Sequence, residues 1–157
     1  MQAGQPFTVS FGVGGNGTAP GQFQSPHSIA YQAGTKTFWV ANRGDVRLDA
    51  FDAETGVIVG SWDGASCFNG VPWGVRLDEV RGRMIVADGQ LGNVYVLALQ
   101  PTHASLRGGK GKGKGGEEGG AASSFPPCKL LQTITVGVAQ KPHEVAVDAE
   151  TGSFYLA

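Results

Sequence analysis

Apolar and polar residues alternate in short runs along this chain, and glycine, aspartate or threonine closes most runs. Between residues 27 and 62 the runs are "HSIAY", "TFWVAN", "VRLDAFD" and "VIVGSW", separated by turn-like stretches such as "QAGTK" and "AETG". Successive side chains of an extended backbone point to opposite faces, so period-two alternation rich in β-branched and aromatic residues predicts half-buried strands. The series then restarts as "WGVRLD", "RMIVAD" and "VYVLAL", and "KLLQTITV" supplies its fourth member after an interruption. A third series opens with "HEVAVD" and "SFYLA". Ahead of the first series, "PFTVSFG" reads as the closing strand of another unit. No segment carries a helical period. The expected class is all-β.

The series share a register. "SPHSIAYQ" (25–32), "VPWGVRLD" (71–78) and "KPHEVAVD" (141–148) align, with His27, Trp73 and His143 at one position. From His27 to Trp73 is 46 positions and from Trp73 to His143 is 70, but the second interval holds a 26-residue low-complexity stretch, 102–127. Without that stretch the second interval is 44, close to the first. Four short strands in a unit of this size describe a blade of a β-propeller. The chain is therefore expected to be part of a β-propeller, with blades at about 27–62, 72–136 and a truncated 142–157. A closed ring leaves few exposed edges, so two blades with fragments predict a larger parent propeller or an assembly of several chains, and a partial sequence is the favoured reading.

Composition changes this picture little. The net charge is −1 and the isoelectric point about 6.3, so no global field draws nucleic acid. The apolar runs are far too short to cross a bilayer as a helix, and the first residues lack the basic and apolar pattern of a leader. "RGGKGKGKGG" lacks the Ser or Thr that follows lysine in a phosphate loop, so 102–127 reads as a solvated linker, with His103 exposed at its edge. Cys67 and Cys128 both lie in turn-like surroundings, and the sequence leaves their pairing open.

The stretch "FGVGGNGTAPGQFQSPHSIAY…FWVANRGDVRLDAF" resembles the NHL repeat, through Gly-Gln-Phe, Pro-His-Ser-Ile-Ala and the Val-Ala-Asn-Arg strand end. Within NHL proteins it is similar to the peptidyl-α-hydroxyglycine α-amidating lyase family. The likeness is continuous from Gly21 to Phe51, weaker through the second unit, and returns at "KPHEVAVD…GSFYLA". It implies the C-terminal part of that family's propeller. It also implies a zinc held by three histidines from alternate blades, with an open fourth position. In a six-bladed ring, blades two apart differ by about 120° around the axis, which suits His27 and His143 as two of the ligands. The third ligand, the catalytic tyrosine and a second active-site arginine would lie ahead of residue 1. Trp73, on the blade between, donates no ligand in this reading.

The resemblance further assigns Arg43 a catalytic place beside the metal, where its planar fork suits a carboxylate or alkoxide. Glu144 falls where the family uses aspartate toward a structural calcium, and its longer arm departs from that pattern. Trp39 and Ala50 stand where the family has a cysteine pair. The implied reaction cleaves a peptidyl-α-hydroxyglycine to a peptide amide and glyoxylate, with a secretory or extracellular setting. Each residue has a plainer reading too. His27 and His143 would cap strands, Arg43 would pair with Asp45 or Asp49, and Arg47 would be structural. The rival class is an NHL propeller that serves as a protein-interaction scaffold.

Overall fold

The computed structural model describes residues 14–99 and 125–157. The expected strand 6–12 and most of the low-complexity stretch, His103 included, lie outside the described residues. The first antiparallel sheet has the order β1 (Pro26–Gln32), β2 (Thr37–Asn42), β3 (Arg47–Asp52) and β4 (Ile58–Asp63). The second repeats it with β5 (Gly74–Asp78), β6 (Arg83–Asp88), β7 (Asn93–Ala98) and β8 (Leu130–Thr135). A hairpin of β9 (Val145–Val147) and β10 (Phe154–Leu156) follows. The one α-helical turn described is α1 (Gly64–Cys67), capped by the Asp63 carboxylate accepting from the Ala65 N–H. The class is all-β, as a partial β-propeller.

Register explains which side chains meet. Ala30, Trp39 and Ala50 are cross-strand neighbours on one face of the first sheet, and Val75, Val86 and Tyr95 are on one face of the second. These two faces close on each other and share one dry core, which also takes in Leu48, Trp62, Phe68, Met84 and Leu97. The opposite face of the second sheet, with Ile85, Ala87, Val94 and Val96, meets Val145 of the hairpin in a second cluster. Alternation along each strand thus sends every other residue to a different seam. Each buried large side chain contributes roughly 1.5–3 kcal/mol over its exposed state.

Polar ties cross the same seams. The Glu79 carboxylate accepts from the Ala33 and Gly34 N–H groups, both at 3.0 Å, joining the second unit to a turn of the first. Arg81 donates to the Ala149 and Glu150 carbonyls at 3.1 and 2.9 Å, joining it to the hairpin. One pentapeptide shows how local chemistry sets a turn. "DAETG" occurs at 52–56 and 148–152, between β3 and β4 in one place and between β9 and β10 in the other. In both, the aspartate carboxylate accepts from the next two N–H groups beyond its neighbour and from the threonine hydroxyl. Both end on a left-handed glycine, at φ 71° and 76°.

The end of the low-complexity stretch corrects the linker reading. Phe125 packs on Trp39 and Trp62, with ring centroids 5.8 and 6.0 Å away, and the Trp62 N–H donates to the Pro126 carbonyl at 2.9 Å. Gly60 makes this fit, since a Cβ there would lie 2.0 Å from the Phe125 ring. Cys67 and Cys128 form a disulfide with Cα atoms 5.6 Å apart. Residues 125–128 therefore strap the outer strand of the second sheet to the end of the first. The sequence signal was one phenylalanine after a run of glycine, alanine and serine, too little against the composition around it.

Candidate functional site

Two buried polar side chains set the start of the inner strands β1 and β5. Asn42 and Asp88 end β2 and β6, 46 positions apart, and both are fully buried. Asn42 Oδ1 accepts from the Gln24 N–H at 3.0 Å, and Asp88 Oδ2 accepts from the Val71 N–H at 3.1 Å. Each therefore pins the segment that leads into an inner strand, and so fixes where His27 and Trp73 begin. The "VAN" and "VAD" elements of the sequence are positioning devices.

The two Pro-His copies share a backbone feature that the Trp73 copy lacks. Ser25 and Lys141, each directly before the proline, have φ of 57° and 38°. A non-glycine residue in the left-handed region costs on the order of 1–2 kcal/mol, and the surrounding fold must hold it there. Val71, at the matching position, is not among the residues with positive φ.

The structure brings His27, Trp73, His143 and Arg43 together. The ring centroids of His27 and His143 are 5.9 Å apart, and Trp73 touches both, at 5.3 Å from His27 and 4.3 Å edge-on from His143. The Arg43 guanidinium carbon lies 4.5 Å from the centroid of the Trp73 ring. His27 Nδ1 is 3.1 Å from the Trp73 carbonyl oxygen. A carbonyl only accepts, so this contact assigns the proton to Nδ1 and leaves Nε2 with a free lone pair. Both imidazoles are exposed.

Arg43 has none of the plain partners offered for it. Arg47 takes Asp45 at 3.2 Å and Asp49 at 2.9 Å, and Asp49 is further satisfied by Asn42 and Ser61. Arg47 also donates to the Thr18, Ala19 and Gln22 carbonyls, a structural role. Among the described residues, Arg43 has no carboxylate partner. Its guanidinium lies over the Trp73 ring, which touches both histidines.

Glu144 sits elsewhere in the charge balance. Its carboxylate lies 3.0 Å from Arg76 Nη2, and Arg76 Nη1 donates to Ser28 Oγ at 3.1 Å and to its neighbour's carbonyl, Val75, at 2.7 Å. A calcium at Glu144 would have to share that carboxylate with a guanidinium. The Arg76–Glu144 pair and His27, with Phe23, Ile29 and Val40, line an open cavity of about 490 Å³. Among the described residues, no group of three His, Cys, Asp or Glu is gathered to hold a metal ion.

The sequence pattern gives Trp73 no ligand role, and the structure adds that its ring lies against His27, His143 and Arg43. The signal was present, because Trp73 occupies the repeat position of the two histidines. A backbone slot receives the indole, since a Cβ on Gly89 would lie 2.9 Å from the ring.

Comparison with known proteins bears on the repeats. The chain is 31% identical over all 157 residues to NHL repeat-containing protein 3 of Mus musculus, and equally to that of Homo sapiens. That similarity supports NHL repeats in this chain. The chain spans 39% of the length of each of these relatives. No family model matches it. Among solved structures it is similar to a chain of Kuenenia stuttgartiensis Hydrazine Synthase, with a TM-score of 0.57 over 97% of this chain and 32% of that one. At 14% identity this likeness shows the propeller-like fold alone.

Proposed function

We propose that this NHL-repeat chain forms part of a peptidyl-α-hydroxyglycine lyase, with His27 and His143 as two zinc ligands and Arg43 as the substrate-carboxylate anchor. One observation carries the reading. The His27 ring is held by Nδ1 on the Trp73 carbonyl, which in the neutral ring leaves Nε2 available to a metal, and the His143 ring is 5.9 Å away with Arg43 on the shared Trp73. Metal-bound histidines commonly have their other ring nitrogen fixed in this way. The two imidazoles fit zinc by donor type, and the remaining ligands would come from outside the described residues or from solvent. Zinc, when bound, supplies Lewis acidity toward the hydroxyl or carboxylate oxygens of the substrate.

The residues of this chain then do the following. Arg43 binds the substrate carboxylate through its planar fork and holds the α-carbon beside the histidine pair. Loss of the hydroxyl proton forms the carbonyl of glyoxylate while the C–N bond breaks, and the amide nitrogen takes up a proton. Arg43 offsets negative charge on the departing glyoxylate. The Cys67–Cys128 bond supports an oxidising compartment for this chemistry. The test is release of glyoxylate from an α-hydroxyglycine peptide by the full-length protein, with Arg43→Lys expected to lower kcat/KM sharply. Turnover unchanged in Arg43→Lys and Arg43→Ala would contradict the assignment.

A second reading rests on the relatives, since likeness to NHL repeat-containing protein 3 is equally compatible with a non-catalytic NHL propeller that serves as an interaction scaffold. In that case a glyoxylate assay would be silent.

A further inference from the structure

We infer that Trp73 is the positioning residue of this site: its indole carries the Arg43 guanidinium to the mouth between the two histidines. The inference rests on the lyase reading for what Arg43 binds, but the placement of Arg43 can be measured separately. Arg43 starts the short turn after β2 in the first unit, whereas Trp73 leads into β5 of the second. The contact at 4.5 Å thus bridges two blades. A guanidinium over an indole face is attracted by the ring quadrupole and keeps its edge donors free for a planar anion. Asp45 and Asp49 would otherwise compete for the same charge, and Arg47 occupies both. The arrangement leaves the stack on Trp73 as the interaction that holds Arg43 among the described residues.

The indole is itself held from two sides. Gly89 leaves room behind the ring, and the His143 ring centroid lies 4.3 Å away. The backbone N–H of Trp73 donates to the Ala87 carbonyl at 2.8 Å and fixes the main chain that carries the ring. The division of labour within Trp73 allows a clean experiment. His27 is oriented by the Trp73 backbone carbonyl, which any substitution keeps, while Arg43 is oriented by the side chain. Removing the indole should therefore release the arginine while His27 keeps its hydrogen bond to the main-chain carbonyl at position 73.

The test uses the full-length protein with Trp73→Leu, Trp73→Phe and Gly89→Ala, the last leaving the tryptophan in place but crowding its slot. The first readout is the NMR shift of the Arg43 δ protons, which the indole ring current moves upfield. Trp73→Leu should abolish that upfield shift, Gly89→Ala should reduce it, and Trp73→Phe should keep part of it. The second readout is binding of glyoxylate by calorimetry together with KM and kcat for benzoyl-α-hydroxyglycine. Trp73→Leu should weaken glyoxylate binding, raise KM on the order of threefold to thirtyfold and lower kcat, with zinc content little changed. Should wild type bind glyoxylate through Arg43 yet show no turnover, the lyase reading fails and the positioning role stands. An Arg43 shift insensitive to Trp73→Leu in folded protein overturns the positioning role, and so does a loss of zinc from that variant.

Discussion

At the outer seam, Trp62 packs on Trp39 and Phe125 and donates its N–H to the Pro126 carbonyl; at the inner end, Trp73 lies between two exposed histidines and under an arginine, and its own buried indole N–H has no acceptor among the described residues. Both tryptophans join the same two sheets. Around Trp62 the neighbours are apolar, the polar atoms are matched, and a disulfide closes the edge. Around Trp73 sit two imidazoles, a cation with no carboxylate partner among the described residues, and two left-handed residues before proline. A fold spends its matched packing where it needs stability and keeps unmatched donors and strain where it needs chemistry. The comparison predicts that the two ends fail differently.

The largest effect belongs to the outer seam. Replacing Cys67 and Cys128 together by serine should destabilise the protein by about 4 kcal/mol, from the loop closed between positions 61 apart. Denaturant unfolding of the oxidised protein and the double variant measures this, and equal midpoints would mean that the strap does not hold the seam. Phe125→Ala should cost ~2–3 kcal/mol by the same measurement, less than a fully buried phenylalanine because its ring is half-buried.

Deletion sharpens the boundary of the strap. Removing 104–124 should leave stability nearly unchanged, since a shorter surface loop alters closure entropy only slightly. Extending the deletion through 127 removes Phe125 and the Pro126 carbonyl, and should reproduce the loss seen in Phe125→Ala. Equal stability of the two deletions would return the whole stretch to a linker.

Acid should act on a third place, between the seams. Burial pushes the Asp78 carboxyl up, but hydrogen bonds from Arg83 and from the Arg81 N–H, with both guanidinium charges, more than offset it and hold its pKa below 3.8. A carboxyl with a depressed folded pKa stabilises above its unfolded value and loses that contribution as pH falls through the folded one. Stability should therefore drop below about pH 4, and Asp78→Asn should flatten that slope. An unchanged acid limb in Asp78→Asn would show that other carboxylates carry it.

How much of this was legible follows from the kind of signal each part leaves. Strands such as "TFWVAN" and "RMIVAD" face two different seams, and that demand writes period-two alternation into the sequence. His27 and His143 stood out because the repeat places them in one register. Trp73 stood in the same register but was set aside, because a ligand search favours histidine and overlooks an aromatic that orients an arginine. The strap was invisible for another reason. Phe125 and Cys128 act through contacts with Gly60, Trp62 and Cys67, which lie some 60 positions earlier and leave no local pattern. Glu144 likewise needed the fold to reveal Arg76 as its neighbour.

The central claim is that the inner end is a metal-dependent lyase site, and zinc analysis with glyoxylate release tests it most directly. Wild type, His27→Ala and His143→Ala should be compared in the full-length protein. The account predicts one zinc per propeller in wild type, and loss of most of the zinc and of glyoxylate release in both variants. With zinc removed by chelator, their unfolding midpoints should stay near that of equally treated wild type, because both imidazoles are exposed. Full zinc content and turnover without either histidine would contradict the account and leave the Pro-His repeats as strand starts.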